Sequence, residues 1–402
     1  MNEHARVTVL LDETVATGKN AQSDHRQDTH EHIPGSVLRG AIAADWIRRN
    51  GQGVTTTPDF TEVFEGRGSF GPLHTPASLP IPLSVRVHKY EPTRKCHQLW
   101  WDAAFGDDAE RCPRCEGPLE RSKGQARGGI PTTTRTTAAL TADGEAEDSA
   151  LFSQRALDQG VRLHGWLHGA AVRALNPDGT PITSLLLGSR RSVRGKASVE
   201  VDHTVSPEPV EATGNDVVLR LAAPAVFVDD FGLPSSTPDL RELSEVLGVE
   251  ASEVRGSWTR WDETGGWHAA SGLPKPTERC VAAGSTYRVR CAEPPAENAL
   301  RTLMARGVGL RRREGFGALF RTEPPLGFAA WTSVAASLRQ LPGLTTRLRE
   351  RLDPLRRGTV DDESYYRASH KMPPDVGEAL RTILGITDAD FYEQLLDYME
   401  HG

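Results

Sequence analysis

Apolar residues near the amino terminus show a strand-like spacing first and a helical spacing afterwards. Residues 7–11 form a compact apolar run, which predicts a strand, and a polar stretch follows over residues 14–32. Six apolar residues then recur at the spacing of a helix: Val37, Leu38, Ala41, Ile42, Ala44 and Trp46. Pro34 and Gly35 are typical of the turn before a helix, and Ser36 is the predicted N-cap.

The rest of the chain alternates between many short predicted elements. Apolar alternation predicts strands at residues 85–87, 161–167, 197–201, 217–221, 226–228, 287–291 and 316–321. Helical periodicity predicts helices at residues 151–158, 237–249 and 296–306, and a mostly amphipathic helical tail after residue 328. The 38 glycines and 27 prolines in 402 residues are typical of a loop-rich globular protein of two or three domains.

Composition and charge narrow the class of protein. The net charge is -7, so any contact with nucleic acid has to come from local basic clusters. No apolar run reaches the length of about 18 residues that a membrane span needs, and the amino terminus lacks the apolar core of a signal peptide. Five cysteines, with one Cys-x-x-Cys pair, favour a metal site over a disulfide framework. We therefore expect a cytoplasmic protein without membrane contact.

The most distinctive segment is a glycine-rich stretch that directly follows the helix predicted at residues 296–306. Its glycines and arginines are Gly307, Gly309, Arg311, Arg312, Arg313, Gly315 and Gly317. Backbone N–H groups at glycines approach anions closely, and guanidinium forks match phosphate geometry. The pattern predicts a site for a sugar-phosphate backbone that does not read base sequence. A solvated, arginine-rich hairpin is the alternative.

Two further groups of residues are candidate phosphate contacts. Ser36 begins a predicted helix beside a glycine, and Arg39 follows one turn later, although capping alone also accounts for Ser36. A second basic cluster contains Arg190, Arg191, Arg194 and Lys196. Its three arginines lie between Gly188 and Gly195, and Lys196 directly follows, so a solvated hairpin tip is again the alternative.

Cysteine spacing predicts a structural zinc site. Cys112 and Cys115 have the spacing of a metal-binding turn, and Cys96 lies upstream with fifteen residues between it and Cys112. The predicted ligand set is Cys96, His97, Cys112 and Cys115, with His88 or His74 as alternative sources of the fourth ligand. Four protein ligands leave no open coordination position, so the site would be structural. The alternative is two thiols with a chance spacing.

The polar stretch at residues 14–32 contains residue types that could catalyse RNA cleavage. Its histidines, which could supply a base near neutral pH, are His25, His30 and His32. The aspartates in and beside it, which could hold Mg²⁺, are Asp12, Asp24 and Asp28. A polar loop of this kind is more often simply solvated, so we expect no catalytic residue in it.

Several of these segments together resemble one family. Residues 33–40, Ile-Pro-Gly-Ser-Val-Leu-Arg-Gly, resemble a signature of RAMP proteins from CRISPR systems, and residues 307–317 resemble their carboxyl-terminal glycine-rich loop. The large RAMP subunit of type III-D effector complexes is similar to this chain at residues 80–84, Lys89, the Cys-x-x-Cys pair, residues 151–153 and residues 187–192. The resemblance covers roughly residues 7–321 and leaves out the tail.

This resemblance implies an α+β fold of tandem ferredoxin-like, RRM-related modules. The implied divisions are a first module (1–89), an insertion with a zinc knuckle (90–150), a second module with the glycine-rich loop (151–326) and a helical tail (327–402). The implied function is to grip the 5′ handle of the guide RNA (crRNA) and to cap the effector filament, in contact with other Cas subunits and with target RNA as a further possible partner. A RAMP endoribonuclease that processes the guide precursor or cuts target RNA is the alternative, and a structural role without chemistry is favoured.

Overall fold

The structure is a computed structural model, and the part of the chain that it describes includes most residues. The described residues are 3–23, 26–90, 101–106, 108–113, 115–126, 130–140, 146–188, 194–268, 273–321, 334–335, 338–339, 341, 343–386 and 389–401. Within them the chain forms a mixed α/β fold. Three large apolar cores belong to the amino-terminal part, the middle part and the carboxyl-terminal tail.

The amino-terminal part extends to residue 202 and consists mainly of strands. They are β1 (His4–Leu11), β2 (Lys19–Ser23), β3 (Arg26–Asp28), β4 (Ser69–Phe70), β5 (Val85–His88), β6 (Trp101–Asp102), β7 (Leu119–Arg121), β8 (Thr132–Leu140), β9 (Ala146–Leu157), β10 (Arg162–His168), β11 (Ser184–Leu186) and β12 (Lys196–Asp202). Its helices are α1 (Gly35–Asn50) and α2 (Pro58–Glu65).

Strand β1 lies in the centre of a five-stranded antiparallel sheet with the order β11-β12-β1-β10-β4. Its alternate residues Ala5, Val7, Val9 and Leu11 are buried, because successive side chains of a strand point to opposite faces. When β1, β4, β10 and β12 are numbered one to four, their order is 4-1-3-2. This is the strand order of a ferredoxin-like sheet.

Helix α1 covers the buried face of this sheet. Leu38, Ile42 and Trp46 join the core formed by the alternate residues of β1. The helix begins at Gly35, with Pro34 at the N-cap position and no side-chain cap. The predicted N-cap role of Ser36 is therefore wrong, because the fixed φ of Pro34 already turns the chain into the helix one residue earlier.

Strands β8 and β9 form a long antiparallel pair within a second sheet of order β2-β3-β9-β8. The helix predicted at residues 151–158 is wrong, because all but the last of these residues belong to β9. Pairing with the threonine-rich β8 outweighs the local helical periodicity, since β-branched residues favour strands. The implied division at residue 150 falls inside β9.

A small sheet of order β6-β5-β7 connects the amino-terminal part to the middle part. Just before β5, the N–H of Leu83 donates to the carbonyl oxygen of Gly284 at 2.8 Å. The fully buried guanidinium of Arg220 binds Asp102 at 2.9 Å and Glu211 at 2.7 Å. This buried ion-pair network therefore holds β6 of the small sheet against the middle part of the chain.

The middle part extends from residue 210 to residue 321. Its strands are β13 (Glu211–Thr213), β14 (Asp216–Arg220), β15 (Phe227–Val228), β16 (Pro234–Ser235), β17 (Ala251–Trp258), β18 (Trp261–Thr264), β19 (Trp267–His268), β20 (Leu273–Pro274), β21 (Glu278–Val281) and β22 (Thr286–Cys291). Its helices are α3 (Leu240–Leu247) and α4 (Glu297–Arg306).

The main sheet of the middle part has the order β13-β14-β22-β17. Residues 318–320 run beside the end of β14, where the N–H of Phe320 donates to the carbonyl oxygen of Arg220 at 3.0 Å. With this segment as the fourth strand, the order is again 4-1-3-2. The strand predicted at residues 316–321 is reduced to one bridge between Leu221 and Leu319.

The described part of the tail is helical, as predicted. Its helices are α5 (Leu344–Glu350), α6 (Leu352–Arg357), α7 (Glu363–Ser369), α8 (Pro374–Leu384) and α9 (Ala389–His401). Leu348, Leu380 and Leu395 are fully buried in a core that these helices share. In the described residues, we find no helix with both the length and the apolar character to cross a bilayer.

Candidate functional site

The glycine-rich loop at residues 307–317 lies directly on the first turn of α1. A Cβ built on Gly35 would be 2.5 Å from the Cα of Gly315 and 2.0 Å from the carbonyl oxygen of Phe70. Heavy atoms do not approach a real Cβ so closely, so the contact needs glycine on both sides. Two of the sequence-predicted candidate sites, the start of α1 and the loop, are therefore one site.

The loop is closed by its own backbone. The N–H of Val308 donates to the carbonyl oxygen of Gly317 at 2.9 Å, and a Cβ on Gly317 would be 1.7 Å from the carbonyl oxygen of Val308. Arg311 is in the left-handed region with φ 56°, and a single 3-10 turn follows over Arg312–Glu314. This tight course turns the three consecutive arginines in different directions.

Arg311 is held by carboxylates of its own chain. Its guanidinium binds Glu314 at 2.8 Å and Glu278 at 2.8 Å, and Lys275 binds the same Glu314 at 2.7 Å. Burial alone would raise the pKa of Glu314, but the hydrogen bonds from Arg311 and Lys275 lower that pKa to about 2. Arg311 therefore shapes the loop, with a side chain that is 18% exposed.

Arg312 and Arg306 share Glu242, which lies in α3. The Glu242 carboxylate binds Arg306 at 3.0 Å, pairs with Arg312, and accepts a hydrogen bond from the N–H of Gly309 at 3.0 Å. The Glu242 carboxylate is therefore bound by one loop amide and two guanidinium groups, the same donors that the sequence predicts for a phosphate. Arg306 Nη1 and Arg312 Nε are buried and have no hydrogen-bond partner among the described residues. The site thus keeps donors that the carboxylate does not satisfy.

Glu65, at the end of α2, connects Arg313 to Arg39. Its backbone carbonyl accepts from Arg313 Nη1 at 2.7 Å, and its carboxylate lies 3.7 Å from Arg313 Nε and pairs with Arg39. Arg313 is 42% exposed, the most of the three loop arginines. Ser36 is exposed on the first turn of α1, one residue from the Gly35 contact. Ser36 and Arg313 are therefore exposed polar residues of this site.

The described residues of the second basic cluster, Arg194 and Lys196, lie at the other end of the amino-terminal sheet. Arg190 and Arg191 are outside the described residues. Lys196 begins β12 beside the last residue of β1, whereas His168 pairs with the first residue of β1. Burial lowers the pKa of His168, and the nearby charge of Arg306 lowers it further, so His168 marks the end of the sheet that is close to the loop. Eight residues of strand separate the two ends by about 20 Å or more. Arg194 is buried and hydrogen-bonded to Gln154.

Three side chains of the small sheet could hold a metal ion. His88, Cys112 and Cys115 offer ligand atoms that all lie within 4.8 Å of one another. The predicted partners Cys96 and His97 are outside the described residues. Of the two alternatives for the fourth ligand, His88 lies in this group.

His74 instead lies in a cluster of histidines beside the amino-terminal sheet. Its ring stacks on His32 at 4.4 Å, His32 lies 5.1 Å from His30, and the backbone of His74 pairs with that of His164. Burial lowers the pKa of His74 to about 3 and those of His30 and His164 to about 4. The imidazoles are neutral at pH 7, and such low pKa values make them poor general bases. His25 is outside the described residues.

Comparison with known proteins identifies the family. The model of the Cas_Cmr3 family of CRISPR-associated proteins matches residues 115–323, slightly more than half of the chain. The chain belongs to the Cas_Cmr3 family. The Cas_Cmr3 match begins at Cys115 and includes the whole glycine-rich loop. No curated protein matches the sequence.

Solved structures of CRISPR proteins are similar to this Cas_Cmr3 chain. One comes from the type III-B Cmr-beta complex bound to cognate target RNA, with 11% identity, a TM-score of 0.40, and coverage of 70% of this chain and 86% of that chain. Another is the CRISPR-associated protein Cas6, with 11% identity, a TM-score of 0.33, and coverage of 80% and 99%. Cas6 from Thermus thermophilus has 14% identity, a TM-score of 0.29, and coverage of 79% and 98%.

Proposed function

We propose that this chain is the guide-RNA-binding subunit of a type III CRISPR effector complex. In this role it grips the 5′ handle of the guide RNA, caps one end of the filament and contacts other Cas subunits. The contact between Gly35 and Gly315 carries the proposal, because it joins two RAMP-like motifs from distant parts of the sequence into one surface. Membership of the Cas_Cmr3 family supports it.

The charge around the loop favours a phosphate backbone as the ligand. The whole chain has a net charge of -7, but the loop and its neighbours have more cations than carboxylates. The cations are Arg39, Arg67, Lys275, Arg306, Arg311, Arg312 and Arg313, and the carboxylates are Glu65, Glu242, Glu278 and Glu314. A local excess of positive charge on an acidic protein attracts a polyanion to this surface.

The loop arginines have different roles in this proposal. Arg313, the most exposed, contacts an RNA phosphate together with the exposed first turn at Ser36. Arg311 and Arg312 hold the loop in shape through their carboxylate partners and contribute their field. In the second basic cluster, the exposed Lys196 would meet a more distant part of the same RNA, whereas the buried Arg194 would hold Gln154.

We also infer from its motifs which subgroup of RAMP proteins the chain resembles. The two sheets with 4-1-3-2 order are the tandem RAMP modules that the resemblance implies. Residues 187–192 and 80–84 favour the type III-D group.

Co-expression with a CRISPR array transcript and the partner Cas subunits tests the proposal. Sequencing of the copurified RNA should find the repeat-derived 5′ end protected and not newly cut. New 5′ ends produced from the precursor by the purified chain alone would instead support the endoribonuclease. RNA recovered without enrichment of the repeat-derived end would contradict the handle-binding role.

A charge-reversal pair tests the surface itself. Arg313→Glu should weaken RNA binding about tenfold and reduce the slope of log affinity against log salt by about 1 to 2. Arg367→Glu is the matched control, because Arg367 is 73% exposed in α7 of the tail. Fluorescence anisotropy over a salt series measures both variants. Equal losses in the two would mean that the RNA does not bind at the loop.

A further inference from the structure

A second candidate site lies away from the proposed RNA surface, on the small sheet β6-β5-β7. His88 is the last residue of β5, and Cys112 and Cys115 lie in the turn that precedes β7. The imidazole Nε2 of His88 is 3.2 Å from the Sγ of Cys115. We propose that His88, Cys112 and Cys115 bind one Zn²⁺ ion in a structural site.

The ligand spacing agrees with a single tetrahedral ion. Zinc bonds of about 2.3 Å to sulfur and about 2.0 Å to nitrogen place two sulfurs about 3.8 Å apart and a sulfur and a nitrogen about 3.5 Å apart. All three ligand atoms already lie within 4.8 Å of one another. Changes of about 1.3 Å or less in these separations would therefore bring all three atoms to bonding distance of one ion. Two thiolates and an imidazole, with no carboxylate among them, favour zinc over magnesium or calcium.

Backbone hydrogen bonds close the turn that contains both cysteines. The N–H of Glu116 donates to the carbonyl oxygen of Cys112 at 2.9 Å, and the N–H of Cys112 donates to the carbonyl oxygen of Gly117 at 2.8 Å. Glu116 adopts the left-handed region with φ 56°, which is uncommon for a residue with a side chain. A Cβ on Gly117 would be 3.2 Å from the Sγ of Cys115. These hydrogen bonds keep Cys112 and Cys115 in one tight turn.

The apolar packing around the two cysteines is small. Among the described residues, this cluster contains the buried Cys112 and Leu119, with Trp101 and Cys115 packed against it. A cluster of this size contributes little stability by apolar burial, and small units of this kind are usually stabilised by a metal or a disulfide. A zinc ion bound to β5 and to the turn before β7 would link these two segments.

Metal analysis of the full-length chain tests the site. Protein purified without chelator should contain about one zinc per chain. His88→Ala and Cys112→Ser should bind zinc at least about tenfold more weakly. Cys280→Ser is the control, because Cys280 is a buried thiol of β21 outside the group, and it should keep its zinc. Full zinc in Cys112→Ser would overturn the proposal.

Cobalt substitution makes the test independent of whether the variants fold. The wild-type chain titrated with Co²⁺ should show a thiolate-to-cobalt charge-transfer band and the visible bands of tetrahedral cobalt. If these bands are absent and the purified chain contains no zinc, the three residues do not bind a metal. The contact between His88 and Cys115 is then a thiol–imidazole hydrogen bond. RNA binding is not a readout here, so the zinc proposal stands or fails separately from the RNA-binding function.

Discussion

Gly35 and Gly315 are in contact through their backbones. A Cβ on either residue would lie within 2.7 Å of the Cα of the other. The loop of the middle part therefore has its position fixed by the first turn of a helix in the amino-terminal part. This contact explains why glycine occurs at these two places in otherwise unrelated segments.

Alanine at Gly35 should destabilise the protein strongly. The new Cβ would meet the carbonyl oxygen of Phe70 at 2.0 Å, and backbone atoms cannot move away as a flexible side chain can. We expect a loss of about 2–4 kcal/mol in the free energy of unfolding, measured by urea denaturation, and weaker RNA binding.

Gly40 provides the matched control in the same helix. Nothing lies within 4 Å of a Cβ built at Gly40, so Gly40→Ala should stabilise α1 by about 0.5–1 kcal/mol. Equal stabilities for Gly35→Ala and Gly40→Ala would show that the loop does not rest on the helix.

Glu314 should make the free energy of unfolding depend on pH in the acid range. Its pKa in the folded chain is about 2, below the usual value of 4.5. A carboxyl group whose pKa is lowered by folding stabilises the protein fully above its unfolded pKa, and this contribution disappears as the pH falls towards the folded pKa. The loss should occur between about pH 4.5 and pH 2 and amount to at most about 3 kcal/mol.

Glu314→Gln should remove this part of the acid dependence. The free energy of unfolding of the variant and of the wild type, measured from pH 7 to pH 3, should converge as the pH falls. The exposed Glu363→Gln, in α7, is the control and should follow the wild-type curve. Parallel curves for Glu314→Gln and the wild type would contradict the ion pairs with Arg311 and Lys275.

Removal of the buried Arg220 guanidinium should cost more than removal of an exposed one. Arg220→Ala leaves the carboxylates of Asp102 and Glu211 buried without their cation, at a cost of about 3–5 kcal/mol. Arg241→Ala removes an exposed pair with Asp230 and should leave the midpoint of chemical denaturation unchanged. Similar midpoints for the two variants would show that the Arg220 network does not connect the segments.

The buried histidines should make the protein less stable in mild acid. The pKa of His74 falls to about 3 on folding, so from about pH 6.5 downwards the unfolded chain binds protons that the folded chain does not. Stability is therefore highest above about pH 6.5 and decreases towards pH 4. His74→Asn should flatten the slope of stability against pH in this range, whereas the exposed His370→Asn should not.

Local patterns were sufficient to predict the elements that position the site. The buried residues of β1 and α1 recur at strand and helix spacing, and α4 ends where the glycines begin, so each is visible within a short window. The sequence predicts a helix at residues 151–158, but residues 151–157 form a strand, because their conformation depends on the partner strand β8. The sequence of one strand does not show which distant strand it pairs with.

The partners of the loop arginines could not be predicted from the sequence. Glu65, Glu242 and Glu278 come from three separate elements, and no spacing rule connects them to Arg311, Arg312 or Arg313. The cysteine pair was visible because its spacing is local. The place of His88 beside it depends on the pairing of β5 with β7, so the sequence offered it only as an alternative to His97 and His74.

The order of strands in the amino-terminal sheet has a consequence for biosynthesis. β1 leaves the ribosome before its two neighbours in the sheet, β10 and β12, which end at residues 168 and 202. Until these strands are made, Val7, Val9 and Leu11 belong to an unpaired apolar strand on the nascent chain. Protein fragments that end before residue 196 keep that edge open, so we expect them to aggregate or to require a chaperone during translation.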